Sequence, residues 1–297
     1  MGGMLTGIKV AMLGGDAREA ILLEELLRQG AEVQACGLPE VPGGGGYACY
    51  DDPRATVRGV RVVILPVPGV NSEGRIHAPG SQQPLYFNQE LAEAIPAGTL
   101  VLVGVARPLL KEMATAGGWQ LVETADRDEM AILNSIPTAE GALMLAMQEL
   151  PITLHGSRAF VLGLGRTGFT LARMLAGVGA LVTVVDRGAA DRARAYAEGW
   201  RAVAFTDLAG VIGEADVIFN TVPAQVLTAS VLAATSPGVL IIDLASAPGG
   251  TDFAAATAMK RRAMLAPGLP GKVAPRTAGL ILARLYPTLI LECLERL

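Results

Sequence analysis

The chain is poor in the residues that build metal centres and disulfide frameworks. It holds two histidines, His77 and His155, too far apart to suggest a motif, and three cysteines, Cys36, Cys49 and Cys293, with no CxxC pair. So small a ligand supply gives no reason to expect a metal site. The odd, scattered cysteines and the lack of a secretory signal point to reduced thiols and a cytoplasmic protein. A basic surplus is lacking too. The net charge is −4, without the electrostatic footprint of a nucleic-acid binder, and no nucleic-acid partner is expected. Charged residues make up only 18% against 51% hydrophobic, which excludes a disordered chain and leaves enough apolar surface for two cores.

Long hydrophobic runs are nearly absent. Val217 to Ile242 carries no charge, but Asn220, Pro223, Gln225 and the Ser236-Pro237-Gly238 turn divide it into strand, loop, helix, turn and strand, so no membrane span is expected. Met1-Gly2-Gly3-Met4-Leu5-Thr6 fits an N-myristoylation pattern that is too short to outweigh chance.

What is abundant is glycine, 36 of 297 residues, spread over strand–turn–helix junctions. Ile8 to Leu13 reads as a strand, Gly14-Gly15-Asp16 as a turn and Ala17 to Arg28 as a helix. Ala31 to Cys36, Val60 to Val67 and Leu100 to Gly104 follow as strands at parallel-crossover spacing. Pro42 to Gly46 reads as a glycine-rich loop, and Val67 to Gln83, which contains His77, as a loop long enough to be functional. A helix to about Glu149, with Pro137 in its first turn or Thr138 as its cap, links the halves. Its Leu143, Leu145, Met147 and Leu150 fit a hinge or a cleft wall and equally an ordinary buried helix. The fold expected is α/β with two Rossmann-like parallel-sheet domains and a cleft between them. Residues 1–135 form the N-terminal substrate or partner domain, 136–150 the linking helix, 151–275 the dinucleotide domain and 276–297 a helix, kinked at Pro287, returning to the N-terminal domain.

The second half carries the sharper signal. The strand Arg158 to Leu162 feeds Gly163-Leu164-Gly165-Arg166-Thr167-Gly168, a helix follows, and the strand Ala180 to Val185 ends at Asp186. In that order Gly163 permits the tight turn, Gly165 lets a pyrophosphate approach the backbone, and Gly168 brings helix and strand close. Asp186 suits the ribose 2′-hydroxyl of NAD and Arg187 the 2′-phosphate of NADP, so these residues divide on the cofactor. Later strands are expected at Ala202 to Phe205, Asp216 to Asn220, Val239 to Leu244 and Ala263 to Leu265. Asn220, Thr221, Val222 and Pro223 follow one such strand and are expected to border the nicotinamide.

Leu5-Thr6-Gly7 through Gly14-Gly15-Asp16-Ala17-Arg18, Asn134 to Thr138, Leu162 to Gly168, Ile242 to Ser246 with Pro248 to Phe253, and Leu265 to Pro275 together carry a further reading. In these stretches, which run over nearly the whole chain, the sequence resembles the A subunit of dipicolinate synthase from spore-forming bacteria. The resemblance implies oxidation of dihydrodipicolinate to dipicolinate by NADP, with NAD as the alternative, in a complex with a B subunit in the mother cell of a sporulating bacterium. A homo-oligomer is also expected. Asp186 departs from what an NADP enzyme usually carries.

A dicarboxylate calls for cations and amide donors. Lys272, in the turn after a strand, is the first anchor and Arg18 the second, although either equally fits a solvated surface charge. Thr138, Ser246 and Thr251 offer hydroxyls, and Gly249 and Gly250 offer amides. Glu140 is a catalytic candidate or a charge favouring a helix N-terminus. His155 lies at the wrong end of its sheet, and His77 reads more simply as a surface residue. Two competing readings stand beside this one. A 2-hydroxy-acid dehydrogenase would want arginine and histidine after the later strands, where Ala245-Ser246-Ala247-Pro248 has neither. A non-catalytic nucleotide-sensing protein would need no substrate anchors.

Overall fold

The computed structural model describes residues 3–39 and 45–296. Met1 and Gly2 of the acylation pattern and Pro42 to Gly44 of the glycine-rich loop lie outside the described residues. The chain divides into two units, residues 1–131 with 274–297, and residues 132–273.

In the first unit the strands are β1 (Lys9–Leu13), β2 (Glu32–Cys36), β3 (Ala48–Cys49), β4 (Val62–Ile64), β5 (Leu100–Val103) and β6 (Gln120–Glu123), and the helices α1 (Ala17–Arg28), α2 (Pro53–Thr56), α3 (Gln89–Ala94) and α4 (Pro108–Gly117). Helix α5 (Asp128–Glu149) runs across the division. The second unit contains β7 (Arg158–Leu162), α6 (Arg166–Gly177), β8 (Leu181–Val185), α7 (Ala189–Ala197), β9 (Arg201–Val203), α8 (Leu208–Val211), β10 (Val217–Asn220), α9 (Ala229–Ala233), β11 (Leu240–Asp243), α10 (Phe253–Ala258), β12 (Arg262–Leu265) and α11 (Leu269–Val273). Helix α12 (Pro275–Leu294) returns the chain to the first unit.

Among the described residues both units build the same sheet. The orders β3-β2-β1-β4-β5-β6 and β9-β8-β7-β10-β11-β12 are one topology written twice, with every pairing parallel. Central strands such as Val62–Ile64 and Val217–Asn220 are buried along their whole length, as parallel strands covered on both faces must be. This doubly wound order leaves a crevice beyond the strand ends where the order reverses, between β1 and β4 in the first unit and between β7 and β10 in the second. The uncharged run Val217 to Ile242 resolves into β10, α9 and β11, as its polar interruptions imply.

Two expectations about α5 need correction. The helix starts at Asp128, so Pro137 lies inside it rather than at its first turn, and Thr138 is no cap. The Thr138 hydroxyl instead donates to the Asn134 carbonyl at 2.7 Å, one turn back. Leu143, Leu145 and Leu150 pack on the core of the second unit, whereas Met147 is exposed.

Helix α12 packs on α1, and Gly279 sets how closely: a Cβ there would stand 2.7 Å from Ile21 and 3.1 Å from the Arg18 backbone. Pro287, inside α12, is buried, and the buried Tyr286 hydroxyl meets Thr124 Oγ1 at 3.0 Å just beyond β6. Burial pushes the Tyr286 phenol well above its ordinary range.

The start of α1 is closed by a capping box. The Asp16 side chain accepts from Arg18 N, and Glu19 Oε2 accepts from Asp16 N at 2.9 Å. Glu19 Oε1 also accepts from Val67 N at 2.9 Å, tying the helix to the segment after β4. Arg18 Nε and Nη2 donate to the two Asp16 oxygens at 2.9 and 2.8 Å. Burial opposes the Asp16 charge, but the hydrogen bonds and charge of Arg18 outweigh it and hold the carboxyl at about 2, below its ordinary 3.8. A carboxyl lowered on folding contributes stability above its unfolded value and loses it as pH falls toward the folded one. Burial pushes Glu19 the other way, so the Asp16 contribution is read by comparison with a variant.

The two tryptophans, Trp119 and Trp200, fall one in each unit, so a Trp200→Phe background reports the first unit alone. In that background Asp16→Asn is expected to lower the stability from urea titration by about 2–4 kcal/mol at neutral pH, because asparagine can still cap the helix but leaves the buried Arg18 without its counter-charge. Between about pH 4 and about pH 2 the parent should lose stability relative to the variant and the difference should shrink. A constant difference across that interval would contradict the pairing.

Candidate functional site

Beyond β7 the chain makes the turn Gly163-Leu164-Gly165 and enters α6. Gly163 has φ of +88°, and a Cβ would strike the Thr221 hydroxyl at 2.7 Å and Val222 at 2.8 Å, so only glycine fits. Gly168 lies on the first turn of α6 so close to β7 that its Cβ would collide with the Gly163 carbonyl oxygen. Gly165 is different: no protein atom lies within 4 Å of the position its Cβ would take. Protein packing does not explain a glycine there, whereas a ligand pressed onto the backbone does.

The helix behind this turn is uncapped. Gly165 is the N-cap of α6 and no side chain accepts from the helix start, so the first amides point free donors and a partial positive charge across the open face. That is the chemistry a pyrophosphate needs, and Gly165, Arg166, Thr167 and Gly168 form this open helix start. The buried Asp186, beyond β8, accepts from Leu164 N and Gly188 N, each at 2.7 Å, one on each oxygen. It therefore fixes the glycine turn from its place just beyond β8. Arg187 is exposed, and Arg192 Nη1 donates to the carbonyls of Asp186 and Arg187 at 2.9 and 2.8 Å.

Past β10 and β11 the structure revises several expected contacts. Asp243, fully buried, accepts from Asn220 Nδ2 at 3.0 Å, Ala245 N at 3.1 Å, Gly250 N at 2.9 Å and the Thr251 hydroxyl at 2.6 Å. Asn220 Oδ1 also accepts from Val222 N. The Gly249 amide donates to the Ser246 carbonyl at 2.9 Å. Gly249, Gly250 and Thr251 thus spend on their own loop the donors expected to hold a carboxylate. The Thr221 hydroxyl donates to the Leu162 carbonyl at 2.9 Å, so Thr221 and Val222 brace the glycine turn, while Pro223 is exposed. A sequence shows polar residues after a strand but not whether they turn inward. The signal that could have found this network is Asp243, an acid at the end of an otherwise apolar strand.

Other expected anchors separate. Arg18 is buried in the first unit and clamped on Asp16, so it does not face a substrate as expected. Glu140 is exposed in the middle of α5 rather than in its first turn, which removes the helix-terminus reading. Lys272, on α11, and Ser246 are exposed, and among the described residues neither side chain has an ion-pair or hydrogen-bond partner. His155 lies against Gly179 before the first strand of its sheet, away from the turn.

Doubly wound topology and an open glycine turn on an uncapped helix define a dehydrogenase-like protein that binds a nicotinamide cofactor. The family model of the NAD-binding domain of D-isomer-specific 2-hydroxyacid dehydrogenases matches residues 138–266, which agrees with that class and supports an oxidoreductase. Residues 9–125 match the N-terminal domain of the A subunit of dipicolinate synthase. The A subunit of dipicolinate synthase from Bacillus subtilis is 40% identical over 291 residues, 97% of this chain and 98% of that protein. Among solved structures, the corresponding protein from Bacillus halodurans is 38% identical with a TM-score of 0.91, covering 97% of this chain and 99% of that one. The solved Bacillus subtilis protein gives the same identity and TM-score over 99% of both. The chain belongs to the family of dipicolinate synthase A subunits.

Gly165→Ala and Gly168→Ala are expected to fail in different ways. Gly165→Ala should unfold within about 1 kcal/mol of the parent, since alanine replaces glycine at a cap without a clash, yet lose nucleotide binding in a fluorescence titration with NADPH and NADH. Gly168→Ala should destabilise the second unit by about 2 kcal/mol or more, because the added methyl meets backbone. Nucleotide binding by Gly165→Ala at parental affinity would remove Gly165 from the site.

Proposed function

We propose that the chain is the dehydrogenase component of a dipicolinate-forming enzyme: it oxidises dihydrodipicolinate to dipicolinate with NADP, in the cytoplasm of a sporulating cell, and works with a B subunit. The observation carrying this reading is the match to the dipicolinate synthase A subunit over 97% of the chain, at 40% identity, together with an open glycine turn. Free cysteines fit the compartment. The likeness to 2-hydroxyacid dehydrogenases lies in residues 138–266, while the substrate-side match, residues 9–125, is to dipicolinate synthase, which disfavours a hydroxy-acid substrate.

The nicotinamide supplies a hydride acceptor when bound. Oxidation removes one hydride and one proton from the dihydropyridine ring and leaves an aromatic pyridine, so the protein's task is alignment and anchorage more than bond activation. The α6 N-terminus holds the pyrophosphate, and the Asp243 network keeps the segment after β11 rigid. Among the expected substrate-site residues of the second unit, Lys272, Ser246 and Glu140 have side chains without a partner among the described residues, and of these we assign Lys272 and Ser246 to the site.

For the cofactor we favour NADP. Both Asp186 oxygens already accept a backbone N–H, which lessens their demand for a ribose hydroxyl, and the exposed Arg187 beside them suits a 2′-phosphate.

Arg187→Ala is expected to weaken NADPH binding about tenfold and NADH binding less than twofold. Equal losses, or tighter NADH than NADPH binding by the parent, would reverse the preference. With dihydrodipicolinate and NADP, the chain and its B partner should form dipicolinate and reduced nucleotide one for one. Nucleotide binding without turnover under those conditions would mark a nucleotide-sensing protein instead.

A further inference from the structure

The first unit repeats the doubly wound order, and its crevice is built differently. Its glycine turn is closed. Gly14 N donates to the Cys36 carbonyl and Gly15 N to the His77 carbonyl, both at 2.8 Å, and the Asp16–Glu19 box fills the start of α1. That box takes up donors of the kind that the second unit's turn leaves open.

Beside this turn, past β4 and β5, lies a cavity of about 440 Å³ lined by Arg75, Ile76, His77, Pro68, Pro79 and Arg107 among others. That size falls in the range of small-molecule sites. Arg75 sits on a short antiparallel hairpin in which Val70 pairs with Ile76. Asn71 Oδ1 fixes the hairpin by accepting from Glu73 N and Arg75 N at 3.0 and 2.8 Å. Arg107 comes from a different element, as the N-cap of α4 just beyond β5. Arg18, Arg28, Arg54 and Arg127 of the same unit each pair with an acid, whereas Arg75 and Arg107, like Arg58, Arg61, Arg276, Arg284 and Arg296, have no ion-pair or side-chain hydrogen-bond partner among the described residues; of these unpaired arginines, Arg75 and Arg107 are the ones that line this cavity. His77 Nε2 stands 3.5 Å from Asp16 Oδ2, and that carboxylate is already neutralised by Arg18. Two arginines without partners, from separate elements, thus line one cavity with Ile76 and two prolines in its wall.

We propose that Arg75 and Arg107 form a carboxylate-binding site in the first unit, taking the two carboxylates of a small planar dicarboxylic acid whose ring lies on the apolar wall. Each guanidinium offers a planar fork that matches a carboxylate bidentately, and separate origins suit two carboxylates held apart by a rigid ring. The ring rests on the function proposed above, whereas the preference for a dicarboxylate does not.

Calorimetric titration of the full chain with dipicolinate, and separately with glutarate, tests this. Arg75→Gln and Arg107→Gln should each weaken dipicolinate binding about 10- to 100-fold, with NADPH affinity and melting temperature unchanged. Arg54→Gln, which removes an equal charge elsewhere in the unit, should bind as the parent does. Binding of glutarate but not dipicolinate, lost in both arginine variants, would support the site and overturn the dipicolinate reading. Parental dipicolinate binding by both variants would overturn the site and leave the proposed reaction standing. A parent that binds neither acid would overturn the site as well.

Discussion

Parallel pairing sends all the strands of a sheet to the same edge, and every helix that follows a strand begins there. Because both units of this chain are parallel throughout, their loops and helix N-termini collect beyond the strand ends, and the reversal of strand order opens a crevice among them. What each crevice can hold is then decided by a few residues at the start of one helix. In the second unit the helix begins at Gly165 with no capping side chain, and its amides remain available. In the first, Asp16 and Glu19 consume donors at the corresponding place. The same topology therefore yields one turn suited to phosphates and one closed to them.

Rigidity around the nucleotide turn comes from two buried carboxylates. Asp186 accepts the Leu164 amide within the turn, and Asp243 accepts four donors gathered from β10 and the loop after β11. A carboxylate so fully satisfied offsets its desolvation and leaves little freedom to the backbone it binds, whereas a half-satisfied one would be costly. The glycines act in the same sense, since Gly163 and Gly168 are fixed by Thr221, Val222 and each other. Of these three glycines Gly165 is the one with no protein atom beyond its chain neighbours at its Cβ position, which leaves room there for a ligand.

Much of this is legible in the sequence. The apolar runs mark the central strands because fully buried parallel strands need continuous hydrophobic residues, and the glycine turn between strand and helix marks the cofactor. The edges are harder. β3 spans two exposed residues and β6 is only partly buried throughout, so neither carries a hydrophobic run to detect. The start of α5 is hidden because Pro137 looks like a boundary, although it is accommodated inside the helix. At the site the errors share one cause: Gly249, Gly250, Thr251 and Thr221 are polar or flexible positions after strands, and nothing local tells whether such groups face a ligand or a buried acceptor. Arg18 misleads for the same reason, since its partner Asp16 lies two residues away but the burial of the pair depends on α12 crossing at Gly279.

Arg75 and Arg107 show the limit from the other side. They are 32 positions apart, one on a loop and one before a helix, and no spacing rule relates them; only the hairpin fixed by Asn71 and the parallel placement of β4 and β5 bring them to one cavity. Two arginines without acidic partners on one cavity give it a positive charge that a bound dianion would offset. On the proposed reading, the two crevices would recognise anions by different means. Backbone amides at a helix start fit a pyrophosphate whose shape is constant from one dinucleotide to the next, while side-chain guanidiniums on separate elements can be spaced to suit a particular acid. Common cofactor chemistry then resides in the turn that packing fixes, and substrate choice in residues that packing leaves free to vary.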